Sequence, residues 1–235
     1  IKEYHDRKIM VLFLRIITNI KETDMAFTHL HVHTEYSLLD GSNKIKEYVR
    51  RVKELGMDSA AITDHGVMYG VIDFYKACRA EGIRPILGCE VYVAPNSRFD
   101  KELTGGDDRY YHLVLLAENN TGYNNLTRIV SRGFTEGYYY KPRVDMELLQ
   151  EFHEGIIALS ACLAGEVQRY ITKGLYDEAK KTALKYQACF GKGNYFLELQ
   201  DHGLPEQKMV NTALLQMSKE LDIPLVATND VHYTY

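Results

Sequence analysis

The segment His29-Leu30-His31-Val32-His33 contains the side chains with the clearest capacity for chemistry in this sequence. On a β-strand, side chains two positions apart leave the same face with Cα atoms about 6.5 Å apart, so two of these imidazoles can reach one ion. Histidine is the commonest metal ligand in proteins. The alternative interpretation is a strand whose polar face meets solvent, and the rest of the chain has to decide between the two.

The composition is typical of one globular domain, or at most two, with a sizeable core. The 235 residues are 46% hydrophobic and 26% charged, and the formal net charge is -4. This balance argues against binding nucleic acid through a broad basic surface, because that mode depends on clustered Lys and Arg. If the protein acts on phosphates, we expect bound cations to supply much of the local positive charge.

The cysteines and the N-terminal segment indicate the cellular compartment in which the protein is expected. The four cysteines form no C-x-x-C pair, which predicts a reducing, cytoplasmic compartment. Residues 9–17 are apolar, but Arg15 interrupts them and they are too short to span a membrane. No small-residue cleavage site follows them. We therefore interpret residues 1–24 as a non-native or upstream extension rather than a secretory signal, with the domain covering 25–235 and starting at Met25.

Apolar periodicity predicts seven strands that alternate with helices. The expected strands cover residues 29–33, 59–63, 84–93, 110–117, 155–162, 195–200 and 224–230. The expected helices cover about 43–55, with Ser42 as N-cap, and 69–81, 121–132, 145–153, 164–173, 176–189 and 206–221. A tyrosine-rich loop is expected before residue 145. This alternation favours a parallel sheet, either a closed βα barrel or an open doubly wound sheet.

The positions of the ionisable side chains distinguish these two folds. Most candidate ligands lie at the C-terminal end of an expected strand, and these ends all face one mouth in a barrel. A doubly wound sheet would predict a glycine-rich phosphate turn after the first strand, and this sequence has none. We therefore predict an α/β barrel whose mouth carries nine candidate ligands. They are His31, His33, Asp40, His65, Glu90, His112, Cys162, Asp230 and His232. Nine ligands are too many for one zinc ion, so two or three ions are expected, with a carboxylate such as Glu90 bridging them.

Six motifs make this sequence similar to the PHP (polymerase and histidinol phosphatase) domain family, and most closely to the PHP domains of bacterial replicative DNA polymerases. They are His31-Val32-His33, Tyr36-Ser37-Leu38-Leu39-Asp40-Gly41, Ile62-Thr63-Asp64-His65-Gly66, Pro85-Ile86-Leu87-Gly88-Cys89-Glu90, His202-Gly203-Leu204-Pro205-Glu206-Gln207 and Thr228-Asn229-Asp230-Val231-His232. They recur in order over about residues 25–235. The resemblance implies a distorted seven-stranded βα barrel with a three-ion site, within a fragment of a longer polymerase chain.

The resemblance also implies a ligand set for each ion. The first ion is expected on His31, His33, Glu90 and Asp230, the second on Glu90, His112 and Cys162, and the third on Asp40, His65 and His232. The residues expected to be catalytic are Asp40, His65, Glu90 and His112. A thiolate ligand favours zinc, with manganese or magnesium as alternatives. The implied reaction is metal-assisted hydrolysis of a phosphodiester by in-line attack of activated water.

Three functions remain open at this point. The first is a 3′–5′ proofreading exonuclease acting on the 3′ end of single-stranded DNA, with the other polymerase domains and replisome subunits as partners and no membrane. The second is a small-molecule phosphatase such as histidinol phosphatase, which would use nearly the same ligands. The third is a metal-stabilised structural module. The segments 70–77 and 202–207 resemble polymerase, and no expected ligand is missing, so we favour the first.

Some neighbouring side chains have two interpretations. The segment Tyr138-Tyr139-Tyr140-Lys141-Pro142-Arg143 interleaves aromatic rings and cations, as platforms for single-stranded nucleic acid do. Lys141 and Arg143 are thus predicted phosphate contacts, although ordinary packing is the favoured explanation for a loop in a chain this rich in tyrosine. Asp64 is expected either to orient a ligand or to cap a turn. His29 is set aside as structural.

Overall fold

The computed structural model describes residues 27–102 and 109–235, and within them the chain forms seven helices and eight strands. The helices are α1 (Ile45–Glu54), α2 (Val71–Glu81), α3 (Asn120–Thr135), α4 (Met146–Glu151), α5 (Glu166–Thr172), α6 (Tyr176–Phe190) and α7 (Pro205–Leu221). The strands are β1 (Ser59–Ile62), β2 (Arg84–Val93), β3 (Tyr111–Ala117), β4 (Tyr138–Tyr139), β5 (Lys141–Val144), β6 (Ile156–Leu159), β7 (Tyr195–Leu199) and β8 (Leu225–Ala227). The predicted extension over 1–24 and the expected start at Met25 lie outside the described residues.

The strands form one curled mixed sheet in the order β4-β5-β2-β3-β6-β7-β8, with β1 also paired to β2. One edge of β2 pairs first with β1 and then with β5, and its other edge pairs with β3. The segment that contains His31 and His33 links the β1 and β8 sides of this sheet. The amide of His33 donates to the Val231 carbonyl at 2.8 Å, and the amide of Thr63 donates to the Val32 carbonyl at 2.9 Å. The predicted α/β class and distorted barrel are confirmed.

The expectation of a parallel sheet is wrong at β3. This strand runs antiparallel to both of its neighbours, β2 and β6. Since its direction is reversed, its first residues lie at the end of the sheet where the parallel strands finish. His112, the second residue of β3, therefore reaches the same mouth as ligands that follow other strands.

The predicted strand over 29–33 is also wrong as a regular strand. The segment forms only isolated bridges, Val32 with Val231 and Thr34 with Asn43. Side-chain oxygens take the place of a neighbouring strand here. The amide of Val32 donates to the Thr63 hydroxyl at 2.8 Å, and the amide of Thr34 donates to the Asp64 carboxylate at 2.6 Å.

Two further local predictions need correction. The tyrosine-rich segment expected to be a loop contains the antiparallel hairpin β4-β5, with Tyr140 in the left-handed region at φ 62°. Helix α1 begins after Lys44 rather than after Ser42. The hydroxyl of Ser42 donates instead to the carbonyl of His232 at 3.1 Å. This hydrogen bond connects the loop before α1 to the segment after β8 that carries His232.

Alternation along the strands separates an inner from an outer core. In β3, Leu113 and Leu115 belong to the large cluster shared with the helices, whereas Val114 and Leu116 belong to a small inner cluster. Side chains two apart share a face, so His112 points to the same interior as Val114. The remaining members of the inner cluster are Leu30, Leu159, Ala161 and Val226. This apolar layer closes the barrel interior and leaves the polar side chains at the mouth.

The helices cover the outer face of the sheet. Helix α3 is capped by the Asn119 side chain, which accepts from the Gly122 amide at 3.0 Å. Helix α1 buries the stripe Ile45, Tyr48, Val49 and Val52, whose spacing of three and four was the basis for predicting it. Among the described residues, no helix has the length and apolar character needed to cross a membrane.

Candidate metal centre

Glu90 lies at the centre of the mouth, where four imidazoles converge on it. Its Oε1 is 3.2 Å from His31 Nε2 and 3.0 Å from His112 Nδ1. Its Oε2 is 2.6 Å from His65 Nδ1 and 3.5 Å from His33 Nε2. The side chain is 1% exposed. Strand β2 thus delivers one buried carboxylate to ligands from three other segments, as expected for a bridging group.

Asp230 completes the buried side of the cluster. Its Oδ1 lies 3.2 Å from Nε2 of both His31 and His33, and its side chain is 17% exposed. The residue follows β8 and has φ 45°, a left-handed conformation that Asp tolerates better than most residues. The parallel bridge between Val32 and Val231 sets Asp230 against the two histidines. His31, His33 and Asp230 therefore form one group of close donors.

Asp40 occupies the open side of the cluster. Its Oδ2 is 3.3 Å from His65 Nε2 and 3.7 Å from His232 Nε2, and the Asp40 side chain is 48% exposed. The loop that carries it turns tightly at Gly41, where an added Cβ would lie 2.0 Å from the Thr34 carbonyl oxygen. Glycine is therefore required at that position for the loop to reach this side of the cluster.

The imidazoles are stacked as well as charged. The His33 ring stacks on the rings of both His65 and His232, with ring centroids 3.9 and 4.4 Å away. These three residues form a second group of close donors, and His65, Glu90 and His112 form a third. Both His33 and His65 thus take part in two groups. The grouping departs from the expected partition in two respects. His65 lies with Glu90 and His112 as well as beside Asp40, and His33 takes the place expected for Asp40 in the group with His65 and His232.

Cys162 lies at the edge of the cluster. Its sulfur is 3.9 Å from His112 Nδ1. The preceding residue, Ala161, is buried with φ 64°, an unfavourable conformation for a residue with a Cβ, which the end of β6 imposes. Burial raises the pKa of the Cys162 thiol well above its usual range. The structure therefore brings all nine predicted ligands to one mouth, with Cys162 the most peripheral.

The charges of the cluster stabilise one another. Burial alone would raise the pKa of Glu90, but His112 and His31 hold it well below its usual range. Burial likewise opposes a charge on His31, yet Asp230, Glu198 and Glu90 hold its pKa well above the usual value. Against the effect of burial, His31 lowers the pKa of Asp230 to about 2. Both carboxylates are therefore ionised at neutral pH.

Five buried polar atoms of the cluster have no hydrogen-bond partner, although most buried polar groups in proteins have one. They are His31 Nε2, His33 Nε2, His65 Nδ1, Glu90 Oε2 and Asp230 Oδ1. Their side chains face one another at the distances given above. Imidazole nitrogen and carboxylate oxygen are the donors that Zn²⁺ and related divalent ions bind. The donor set and its unpartnered atoms therefore fit divalent metal ions.

Sequence reasoning missed one residue behind the cluster and left another undecided. Glu198 on β7 accepts from His31 Nδ1 at 2.7 Å. Asp64 accepts from the Ser37 hydroxyl at 2.8 Å, and Ser37 Oγ lies 3.1 Å from His33 Nδ1. The signal for Glu198 was available, because Phe196, Glu198 and Gln200 alternate with apolar residues and so share the inner face of a strand.

A groove of about 480 Å³ opens beside the cluster. Asp40, His65 and His112 line its inner end. Its walls are mainly aromatic and include Tyr69, Tyr92, Tyr110, Phe134, Tyr138 and Tyr140. Lys141 also lines it, with Nζ 5.3 Å from the centre of the Tyr92 ring. The groove therefore combines the open side of the cluster with aromatic faces and one cation.

Three other candidate side chains lie away from the groove or already have partners. Arg143 is 3% exposed and donates to the backbone carbonyls of Gly137, Arg98 and Asp100, so the prediction of a phosphate contact there is wrong. His202 Nε2 lies 2.8 Å from the Asn229 carbonyl oxygen. His29 packs edge-on against Phe27 and belongs to none of the three donor groups found among the described residues.

Comparison with known proteins places this geometry in a family. The family model described as the PHP domain matches residues 29–202. The DNA polymerase III subunit alpha of Treponema pallidum is 54% identical over 209 residues, and that of Deinococcus radiodurans is 50% identical over 214 residues. These matches cover 89% and 88% of this chain but only 18% and 16% of the relatives. The chain thus spans less than a fifth of their length.

Solved structures with low sequence identity share the fold. A candidate metal-dependent phosphoesterase from Bifidobacterium adolescentis superposes with a TM-score of 0.55 at 14% identity, over 91% of this chain and 90% of that one. An amidohydrolase from Chromobacterium violaceum, solved with sulfate and no metal, gives a TM-score of 0.56 at 14% identity, over 88% of each chain. With the family match over most of its length, this chain belongs to the PHP domain family.

Proposed function

We propose that the chain is the PHP domain of a bacterial DNA polymerase III alpha subunit and that it acts as a metal-dependent 3′–5′ exonuclease on the 3′ end of single-stranded DNA. The observation that carries this proposal is the set of five buried, unpartnered donor atoms at the mouth of a PHP domain. The high identity to alpha subunits supports the polymerase setting. The rest of a polymerase chain and other replisome subunits, in the cytoplasm, are the proposed partners.

The three donor groups support a centre of two or three divalent ions. His31, His33 and Asp230, together with Glu90, would hold the first ion. His65, Glu90 and His112, with Cys162 at the edge, would hold the second, and Asp40, His65 and His232 the third. Zinc fits this nitrogen-rich set best, with manganese or magnesium as alternatives. Bound ions supply Lewis acidity for the phosphate oxygens and activate water for in-line attack.

The side chains of the cluster have different proposed roles. Glu90 is buried, so it holds ligands together rather than meeting the substrate. Asp40, His65 and His112 line the groove and are therefore the proposed catalytic residues nearest the substrate, with Glu90 supporting them from below. Hydrogen bonds from behind hold the imidazoles of His31 and His33 in place and leave the Nε2 atom of each directed at the centre.

The groove favours a polynucleotide over a small phosphate ester. Tyr69, Tyr138 and Tyr140 are 63%, 55% and 60% exposed, so much of their ring surface is accessible to a ligand, and the Arg109 guanidinium lies 4.7 Å from the centre of the Tyr140 ring. Unpaired bases stack on such rings in proteins that bind single strands. Lys141 adds one positive charge for a phosphate, which suits a chain whose overall charge is negative. A small ester would leave most of this aromatic wall without a contact.

The test is release of nucleotides from a 3′-labelled single-stranded oligonucleotide by the chain loaded with zinc or manganese. His33→Ala should abolish release, because His33 belongs to two donor groups. His153→Ala is the matched control, since His153 is exposed and contacts only the Gln150 carbonyl nearby. Ion binding without release would favour a structural role, and hydrolysis confined to phosphomonoesters would favour a phosphatase.

A further inference from the structure

Glu198 is a fully buried carboxylate that the proposed ligand set does not use. It lies on β7, and its side chain is 0% exposed. A carboxylate without a partner is very costly to bury, so the fold must supply compensating contacts. These contacts indicate what the residue does.

The contacts of Glu198 Oε1 all come from polar side chains of the inner face. His31 Nδ1 lies 2.7 Å away, Gln200 Nε2 donates at 2.9 Å, and the Thr228 hydroxyl also donates. The Glu198 amide donates to the Ser160 hydroxyl at 2.8 Å, which anchors the strand at this point. Of these groups, only His31 belongs to a donor group of the metal centre, so the network joins the carboxylate to one imidazole nitrogen of that centre.

The other nitrogen of His31 faces the metal centre. Nε2 is 3.2 Å from Glu90 Oε1 and 3.2 Å from Asp230 Oδ1, and it has no hydrogen-bond partner. A histidine whose Nδ1–H is held by a carboxylate presents Nε2 with its lone pair free, and the carboxylate makes that nitrogen a stronger donor. Glu198 thus contacts Nδ1 of the His31 ring, while Nε2 of the same ring faces the metal centre.

We propose that Glu198 is a positioning residue that sets the tautomer and basicity of His31 and thereby strengthens metal binding at the buried side of the centre. The inference rests on the proposed function, since it requires that this cluster bind a divalent ion. His33 offers an internal comparison. Its Nδ1 meets the neutral Ser37 hydroxyl at 3.1 Å, and the charge of Asp64 reaches it only through that hydroxyl. His31 is therefore the more strongly supported of the two histidines.

The experiment is a zinc titration, in competition with a chelator, of the parent chain and of Glu198→Gln. The variant keeps the size of the side chain and removes its charge. Loss of a carboxylate behind a ligating histidine costs roughly 10- to 100-fold in metal affinity, and we expect a loss in that range here. Glu166→Gln is the matched control, because Glu166 is a buried carboxylate that accepts from the Tyr186 hydroxyl at 2.7 Å and belongs to no donor group.

Three outcomes separate this inference from the proposed function. A parent chain that binds no zinc would overturn both. Equal zinc affinities of the parent chain and the folded Glu198→Gln variant would overturn only the role of Glu198. If the variant fails to fold, nitrogen NMR of the zinc-loaded parent labelled on histidine decides. We expect His31 to carry its proton on Nδ1, protected from solvent exchange, and a proton on Nε2 would overturn the inference.

Discussion

The metal centre has two halves that differ in how the protein supports them. In the inner half, His31, His33 and Glu90 are buried and Asp230 is 17% exposed, and hydrogen bonds from Glu198 and Ser37 hold its histidines from behind. In the outer half, Asp40, His65 and His232, the first two side chains line the groove, and Asp40 is 48% exposed. Donors that are buried and already oriented lose little freedom when they bind an ion. We infer that the inner half retains its ion, while the outer half exchanges ions and meets the substrate.

Glu90→Gln should have the largest effect, since Glu90 contacts His31 and His33 of the inner half, His65 of the outer half, and also His112. We expect nucleotide release to fall to background. Zinc affinity should fall by more than the roughly 10- to 100-fold that loss of a supporting residue causes. Chelator competition and the release assay measure the two effects, with Glu166→Gln as control. A zinc affinity equal to that of the parent chain in either half would show that Glu90 does not bridge the two halves.

Asp40→Asn should affect the outer half alone. We expect one ion fewer per chain and release of nucleotides near background, with zinc affinity of the inner half unchanged. The free energy of unfolding of the metal-free chain should change by less than about 0.5 kcal/mol, as for most exposed positions. Mass spectrometry of the native protein counts the ions, and Asp73→Asn on α2 is the exposed control. An equal loss of affinity in the inner half would contradict the division.

Replacing Tyr138 and Tyr140 together by Ala should weaken substrate binding without changing the ions. A base stacked on an aromatic ring contributes about 1–3 kcal/mol, so the KM for a single-stranded oligonucleotide should rise about 5- to 150-fold for each base that no longer stacks. Hydrolysis of a small chromogenic phosphodiester should stay at the parent rate. Tyr75→Ala, an exposed tyrosine outside the groove, is the control. A parallel loss with both substrates would place these rings in the centre itself.

Cys162→Ser should have the smallest effect, because its sulfur lies at the edge of the cluster. Replacing a soft thiol by a hydroxyl should shift the preference from zinc towards manganese. We expect a change of no more than about tenfold, the lower limit for supporting groups. Competition between the two metals measures it, with Cys189→Ser, a buried cysteine of α6, as the control. An unchanged ratio would remove Cys162 from the ligand set.

The sequence predicted those parts of the fold that depend on local pattern. Strand β2 was expected over 84–93 and forms over Arg84–Val93, because its apolar run is bounded by clear turns on both sides. The direction of β3 could not be predicted, since alternation looks the same in parallel and antiparallel strands. The segment around Val32 does not form a regular strand, because its backbone amides donate hydrogen bonds to the side chains of Thr63 and Asp64, which come much later in the sequence.

The candidate site shows the same limit. The ligand types could be read from the sequence because His, Asp and Glu follow strands that end at one mouth. The burial of Arg143 could not, because it depends on carbonyls of Gly137, Arg98 and Asp100 that only the folded chain brings together. Strand alternation placed Glu198 inside, but its contact with His31 could not be predicted, because the two residues are 167 positions apart and only the folded chain brings them together.

The bridge between Val32 and Val231 has a consequence for the order of folding. His31 and Glu198 are 167 positions apart, and Asn43 bonds to the Val231 carbonyl across 188 positions. Contacts of such long range form late, because the entropy of closing the loop has to be overcome first. During synthesis, the first histidines leave the ribosome long before Asp230 and His232. An emerging chain therefore carries an incomplete centre, and metal loading belongs to the last stage of its maturation.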